Sequence, residues 1–211
     1  MTTINMKEIE QKAYRYSRQD GFVEILTGFF FVFYGGVCYD LFTDFETEFP
    51  YIPLVLFFVF SGAALEFIRR RTTYPRIGRA KIIEEIRPRY FVTFIVPFAF
   101  YPMVLYSALR FFGDVYNIDL LVKWSPAFLG IILVGMFHDL VKKTGNTSYY
   151  GIAGLSVVSG FILSLMHFSP TSTGILIFFL IMGALLSLFG LITFVQFLRH
   201  NPVVTEEDTH E

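Results

Sequence analysis

The chain has 211 residues, of which 54% are hydrophobic and only 17% charged, against about a quarter charged in ordinary globular domains. A soluble fold of this size cannot bury so much apolar side chain, and most of the 27 phenylalanines fall in long uncharged runs, so lipid is the solvent for most of the chain. The net charge of −1 by itself says nothing about partners, and no nucleic-acid partner is expected; a single cysteine excludes an internal disulfide and any cysteine-based metal cluster.

The first twenty residues are polar and carry Lys7, Lys12, Arg15 and Arg18, with no apolar core before Phe22. No cleavable signal peptide is therefore expected. Ile4, Ile9, Ala13 and Tyr16 among the charges suit a short helix on the membrane surface, broken by Asp20-Gly21. The first span runs over about 22–39. It holds Cys38, read as a small buried residue, and Glu24 in its first turn. An acid inside a membrane span defaults to a functional hypothesis. Glu24 nevertheless lies near the headgroups, at the favourable N-terminal end of a helix, where an ion pair to the basic residues 69–79 would serve it. Asp40 closes this span, and the following loop, Thr43 to Glu48, is purely acidic.

The second span, about 51–68, contains Ser61-Gly62-Ala63-Ala64, small enough for close helix contact. Glu66 stands three and four residues before Arg69 and Arg70, the spacing of a local helical ion pair. A basic loop, 69–89, follows and opens with the most distinctive string of the chain, Arg69-Arg70-Arg71-Thr72-Thr73-Tyr74-Pro75-Arg76-Ile77-Gly78-Arg79. Arginine forks bind phosphate in a bidentate way. Pro75 stiffens the turn and Gly78 permits a positive φ, so several forks could converge on one headgroup. Arg69, Arg70, Arg71, Tyr74, Arg76 and Arg79 thus form a candidate site for anionic lipid. The competing reading is a topology signal and nothing else. With the Asp20-Gly21 ahead of the first span, this string resembles a set of uncharacterised prokaryotic membrane proteins that carry Thr-Tyr-Pro-Arg-x-Gly after an apolar helix. The resemblance covers residues 19–80; where that set continues Gly-Tyr-Val, this chain has Gly78-Arg79-Ala80. It implies a membrane location and supplies neither an activity nor a site.

A second surface helix is expected around 79–87, with Ile82, Ile83 and Ile86 as its apolar face. The third span, about 90–109, carries Pro97 and Pro102, which bend a membrane helix and open either a hinge or only a packed kink. The fourth, about 120–141, has a charge-free heart from Trp124 to Phe137, with Lys123 snorkelling at one end and His138-Asp139 at the other. The fifth covers 149–168 and the sixth 174–198; Ser156/Gly160 and Gly183/Ser187 have the spacing of close helix contacts, within one bundle or across a homodimer. The acidic tail 201–211 is expected to be disordered.

Six spans with both termini inside place four basic residues of the tail, eight of the 69–89 loop, Lys142, Lys143 and Arg199 on the cytoplasmic face, leaving only Arg110 and Lys123 outside. Omitting the fourth span would break that bias. The fold class expected is therefore an all-α polytopic bundle of about six transmembrane helices, N-in and C-in, in the plasma membrane, with short cytoplasmic surface helices. No internal repeat of the transporter kind is visible, nor is any catalytic motif. His138 and His167 fall at opposite membrane faces, which argues against a shared metal; no cofactor is expected. The leading functional reading is a non-enzymatic membrane component whose basic loop binds anionic phospholipid or a protein partner. A small transporter or channel is the alternative, and a lipid-modifying enzyme using Glu24, His138 and Asp139 the second alternative.

Overall fold

A computed structural model of the protein describes residues 18–43, 52–77 and 118–202. They form only helices: α1 (Phe22–Thr43), α2 (Ile52–Thr72), a single turn α3 (Tyr74–Ile77), α4 (Ile118–Thr144), α5 (Ser148–Leu165) and α6 (Thr173–His200). Five of these are long and apolar enough to cross a membrane. The third expected span, the expected surface helices around 4–18 and 79–87, most of the acidic loop, Arg79 and nearly all of the acidic tail lie outside the described residues.

Three helices outrun their apolar cores, because cations are favourable in the last turn of a helix. Arg69, Arg70 and Arg71 end α2, Lys142 and Lys143 end α4, and Arg199 and His200 end α6. The α5 helix stops at Leu165 instead, with Met166 extended, four residues before Pro170.

The bundle is built from two antiparallel pairs. In the first, α1 lies against α6 along a seam of glycines seven residues apart. Gly21 abuts Gly190, Gly28 abuts Gly183 and Ser187, and Gly35 abuts Phe179. A Cβ on Gly28 would stand 2.5 Å from the Gly183 carbonyl oxygen, and one on Gly183 would stand 2.7 Å from that of Gly28. The seven-residue interval keeps both glycine rows on the facing side, as in a left-handed coil. In lipid, where apolar side chains gain nothing by leaving solvent, such close backbone contact is what holds helices together. In the second pair, α4 meets α5. Ser156 Oγ donates to the Gly130 carbonyl at 3.1 Å, and a Cβ on Gly160 would collide with the Pro126 carbonyl. Pro126 interrupts the α4 ladder, and the neighbouring Ala127 N–H donates to Ser164 Oγ. A tight turn with Gly145 at φ 69° joins the pair.

Between the pairs sits a core that includes Phe31, Leu133, Phe137, Ile175, Phe178, Phe179 and Met182, with Cys38 buried beside it. The outward surface is equally apolar: Val59, Phe60, Phe128, Val158, Leu188 and Ile192 are all exposed. A water-soluble monomer rarely shows such a continuous apolar surface; a bundle in lipid must. The chain is accordingly a multi-pass membrane protein in its architecture.

Ion pairs and hydrogen bonds gather the N-termini of α1 and α5 and the C-termini of α2, α4 and α6 at one end of the bundle. The end of α3 therefore lies at that end, and the start of α4 at the other.

Candidate functional site

The polar end of the bundle contains a buried ionic cluster. Asp20 begins it: one carboxylate oxygen accepts the N–H of Phe22 at 3.3 Å, capping α1, while Gly21 turns the chain at φ 68°. The same carboxylate receives a bidentate fork from Arg69 of α2, Nε at 2.6 Å and Nη2 at 2.9 Å, with the Thr73 hydroxyl at 3.4 Å. All three side chains are buried. One turn along α1, Glu24 is only 2% exposed. Its Oε1 accepts from Arg18 at 3.1 Å and from the Tyr149 hydroxyl of α5 at 2.5 Å, whereas its Oε2 is buried without a partner. Two cations and two carboxylates thus sit in neighbouring pairs, neutral as a set. Pairing of this kind is the condition under which charges tolerate burial.

The arginine string divides into two classes. Arg69 faces inward onto Asp20. Arg76 also binds its own protein, donating to the carbonyls of Asn201 at 2.7 Å and Leu198 at 3.4 Å, which closes the C-terminal end of α6. Arg70 and Arg71 face outward. Arg70 is 64% exposed and pairs with Glu66 at 3.2 Å; Tyr74 donates to the other oxygen of Glu66 at 2.8 Å. The Arg71 guanidinium lies 4.6 Å above the centre of the Phe67 ring.

The ion pair expected between Glu24 and the 69–79 string forms one turn earlier, between Asp20 and Arg69. The local pair of Glu66 forms with Arg70, while Arg69 turns to Asp20. In the sequence Asp20 stands out as a helix breaker and as part of the Asp20-Gly21 that accompanies the arginine string, not as the partner of Arg69, and nothing local marks Tyr149 as the partner of Glu24. The expected close contact at Gly183/Ser187 forms against Gly28; the matching glycine row at 21, 28 and 35, and Gly190 as the partner of Gly21, go beyond that expectation, although their seven-residue interval is legible in the sequence. His138 pairs with Tyr150 at 3.1 Å on the exposed surface, and Asp139 with Lys143, while Glu24 lies inside the bundle. The three residues of the enzymatic alternative therefore do not share a cleft. His167 lies at the opposite end from His138. Among the described residues no three potential ligands are grouped to hold a metal ion.

Comparison with protein families, with curated proteins and with solved structures finds no match for this chain.

Proposed function

We propose that the protein is a non-enzymatic, six-span component of the plasma membrane, with both termini cytoplasmic, that holds anionic phospholipid at the outward arginines Arg70 and Arg71. The orientation is supported by the charge distribution: among the described residues every lysine and arginine except Lys123 lies at the end bearing the ionic cluster. The span count is supported by parity. The end of α3 and the start of α4 lie at opposite ends of the bundle, as an odd number of crossings between them requires.

One observation carries the functional reading, namely the division of the arginine string. A topology signal asks only for positive charge, and Arg69 and Arg76 provide it while bracing the fold. Arg70 and Arg71 remain at the end of a helix whose surrounding face, with Phe67 and Ile68, is exposed and apolar. Guanidinium groups at that depth meet lipid phosphates, each adding about 1 kcal/mol of attraction to an anionic leaflet. The close contacts of Ser156/Gly160 and Gly183/Ser187 are made within the bundle, so they supply no argument for a homodimer.

Native mass spectrometry from mild detergent tests the reading. Wild-type protein retains anionic phospholipid, and Arg70→Ala/Arg71→Ala releases most of it. Equal retention by the two proteins refutes the proposal.

A second reading, a small proton-coupled transporter, is favoured by one specific feature. Glu24 keeps a buried oxygen unpartnered, and acids inside membrane bundles commonly mark ion or proton pathways.

A further inference from the structure

At the end of the bundle away from the ionic cluster, α4, α5, the segment joining α5 to α6 and the head of α6 line an open cleft of about 300 Å³. Leu120, Leu163, Met166 and Phe168 form its apolar wall, and Lys123 and His167 supply its cationic and basic nitrogens. The Lys123 ammonium stands 3.4 Å from His167 Nε2. No carboxylate pairs with Lys123 among the described residues, in contrast to Arg18, Arg69, Arg70 and Lys143, each of which faces an acid. Lys123 also runs against the charge bias of the whole chain, so topology does not account for it.

The start of α6 adds to the positive potential here. Thr171 and Gly174 line the cavity; Gly174 is the second residue of a 28-residue helix whose first amides donate to the carbonyls of Pro170, Thr171 and Ser172, and whose N-terminal end carries a partial positive charge. Ser172, the cap residue between them, makes no capping bond, and its hydroxyl is buried without a partner. The apolar wall meanwhile opens towards lipid, since Leu120 and Met166 are half exposed. A cation, an imidazole and a helix start at one end of a greasy cavity match an anionic head joined to an alkyl chain.

We propose that this cavity binds the phosphate of an anionic amphiphile, with Lys123 and His167 on its oxygens and Leu120, Leu163 and Met166 against the first methylenes of its chain. The volume lies at the lower limit of small-molecule sites and suits a headgroup with the start of one chain. A phospholipid of the adjoining leaflet and free phosphate share the chemistry of the head. The site is independent of Arg70 and Arg71, which lie at the other end of the bundle.

Trp124, the only tryptophan in the chain, follows Lys123 directly and reports on the site. Protein in nonionic detergent is titrated with dihexanoyl phosphatidylglycerol, with dihexanoyl phosphatidylcholine and with inorganic phosphate, reading tryptophan emission. The wild type gives a saturable change with phosphatidylglycerol. Lys123→Gln weakens it on the order of tenfold, as loss of a charge-assisted hydrogen bond predicts, and Lys123→Arg preserves it. His167→Gln, a milder surface change, weakens it several-fold and keeps the comparison available should Lys123→Gln not fold. Saturation by inorganic phosphate with the same dependence on Lys123 identifies a free anion as the natural source; saturation by phosphatidylglycerol alone identifies lipid. The proposal is overturned if no titrant saturates, if phosphatidylcholine binds as well as phosphatidylglycerol, or if neither Lys123→Gln nor His167→Gln alters the response.

Discussion

The pair Asp20–Arg69 joins the start of α1 to the end of α2, and its removal tests whether the ionic cluster braces the bundle. Both side chains are almost wholly buried, 3% and 8% exposed, so solvent screening is slight. Deleting one member strands the other as an unpaired buried charge, a loss of about 3–5 kcal/mol. Asp20→Asn separates the charge from the cap, because asparagine caps a helix as well as aspartate does. The expected loss for Asp20→Asn is therefore about 3 kcal/mol, with about 1 kcal/mol more for Asp20→Ala, which forfeits the cap as well. For a protein of this size 3 kcal/mol corresponds to a Tm lowered by roughly 6–12 °C. Arg69→Met should cost a similar amount, whereas Asp20→Asn/Arg69→Met should cost much less than the two singles added together, with a coupling of about 2 kcal/mol or more. The assay is thermal unfolding in a mild detergent, followed by circular dichroism. Single variants losing less than about 1 kcal/mol, or strictly additive losses, would refute the assignment of a buried, mutually dependent pair.

The glycine seam makes a sharper steric prediction. Gly28→Val forces two backbones apart and should destabilise the protein by about 3 kcal/mol or prevent its assembly. Gly36→Ala, where nothing lies within 4 Å, should be neutral or stabilising by up to about 1 kcal/mol through helix propensity; detergent unfolding of the two variants side by side decides the matter, and equal losses would sink the seam. The transporter reading predicts a proton-coupled flux in proteoliposomes that Glu24→Gln abolishes, with Tyr149→Phe reducing it. A panel of ions and small solutes with no protein-dependent flux removes that reading.

The two distinctive pieces of the first eighty residues, Asp20-Gly21 and the arginine string, acquire one explanation when placed together. Asp20 receives Arg69, Gly21 admits the backbone of α6, and Arg76 closes the end of that same helix. The string is thus half internal brace and half outward surface. Only the outward half, Arg70 and Arg71, is open to a headgroup, so charge counting alone overestimates the number of arginines available to one.

What this sequence determines by itself is its solvent and the lengths of its helices. Long uncharged runs must lie in lipid and must be helical there, since no water is present to satisfy an unpaired backbone. Cations at helix ends and acids in one loop then favour one orientation. Those properties depend on residues adjacent in the chain, so a linear reading recovers them. Which arginine meets which acid was decided only in three dimensions. Asp20 and Arg69 are 49 residues apart, and Glu24 and Tyr149 are 125 apart. Their meeting depends on the glycine rows drawing α1 onto α6, and on the turn at Gly145 bringing α5 back beside α4. A residue's partner is set by that packing, which is why Glu24 holds Tyr149 and Arg18 in place of the nearer-seeming arginine string.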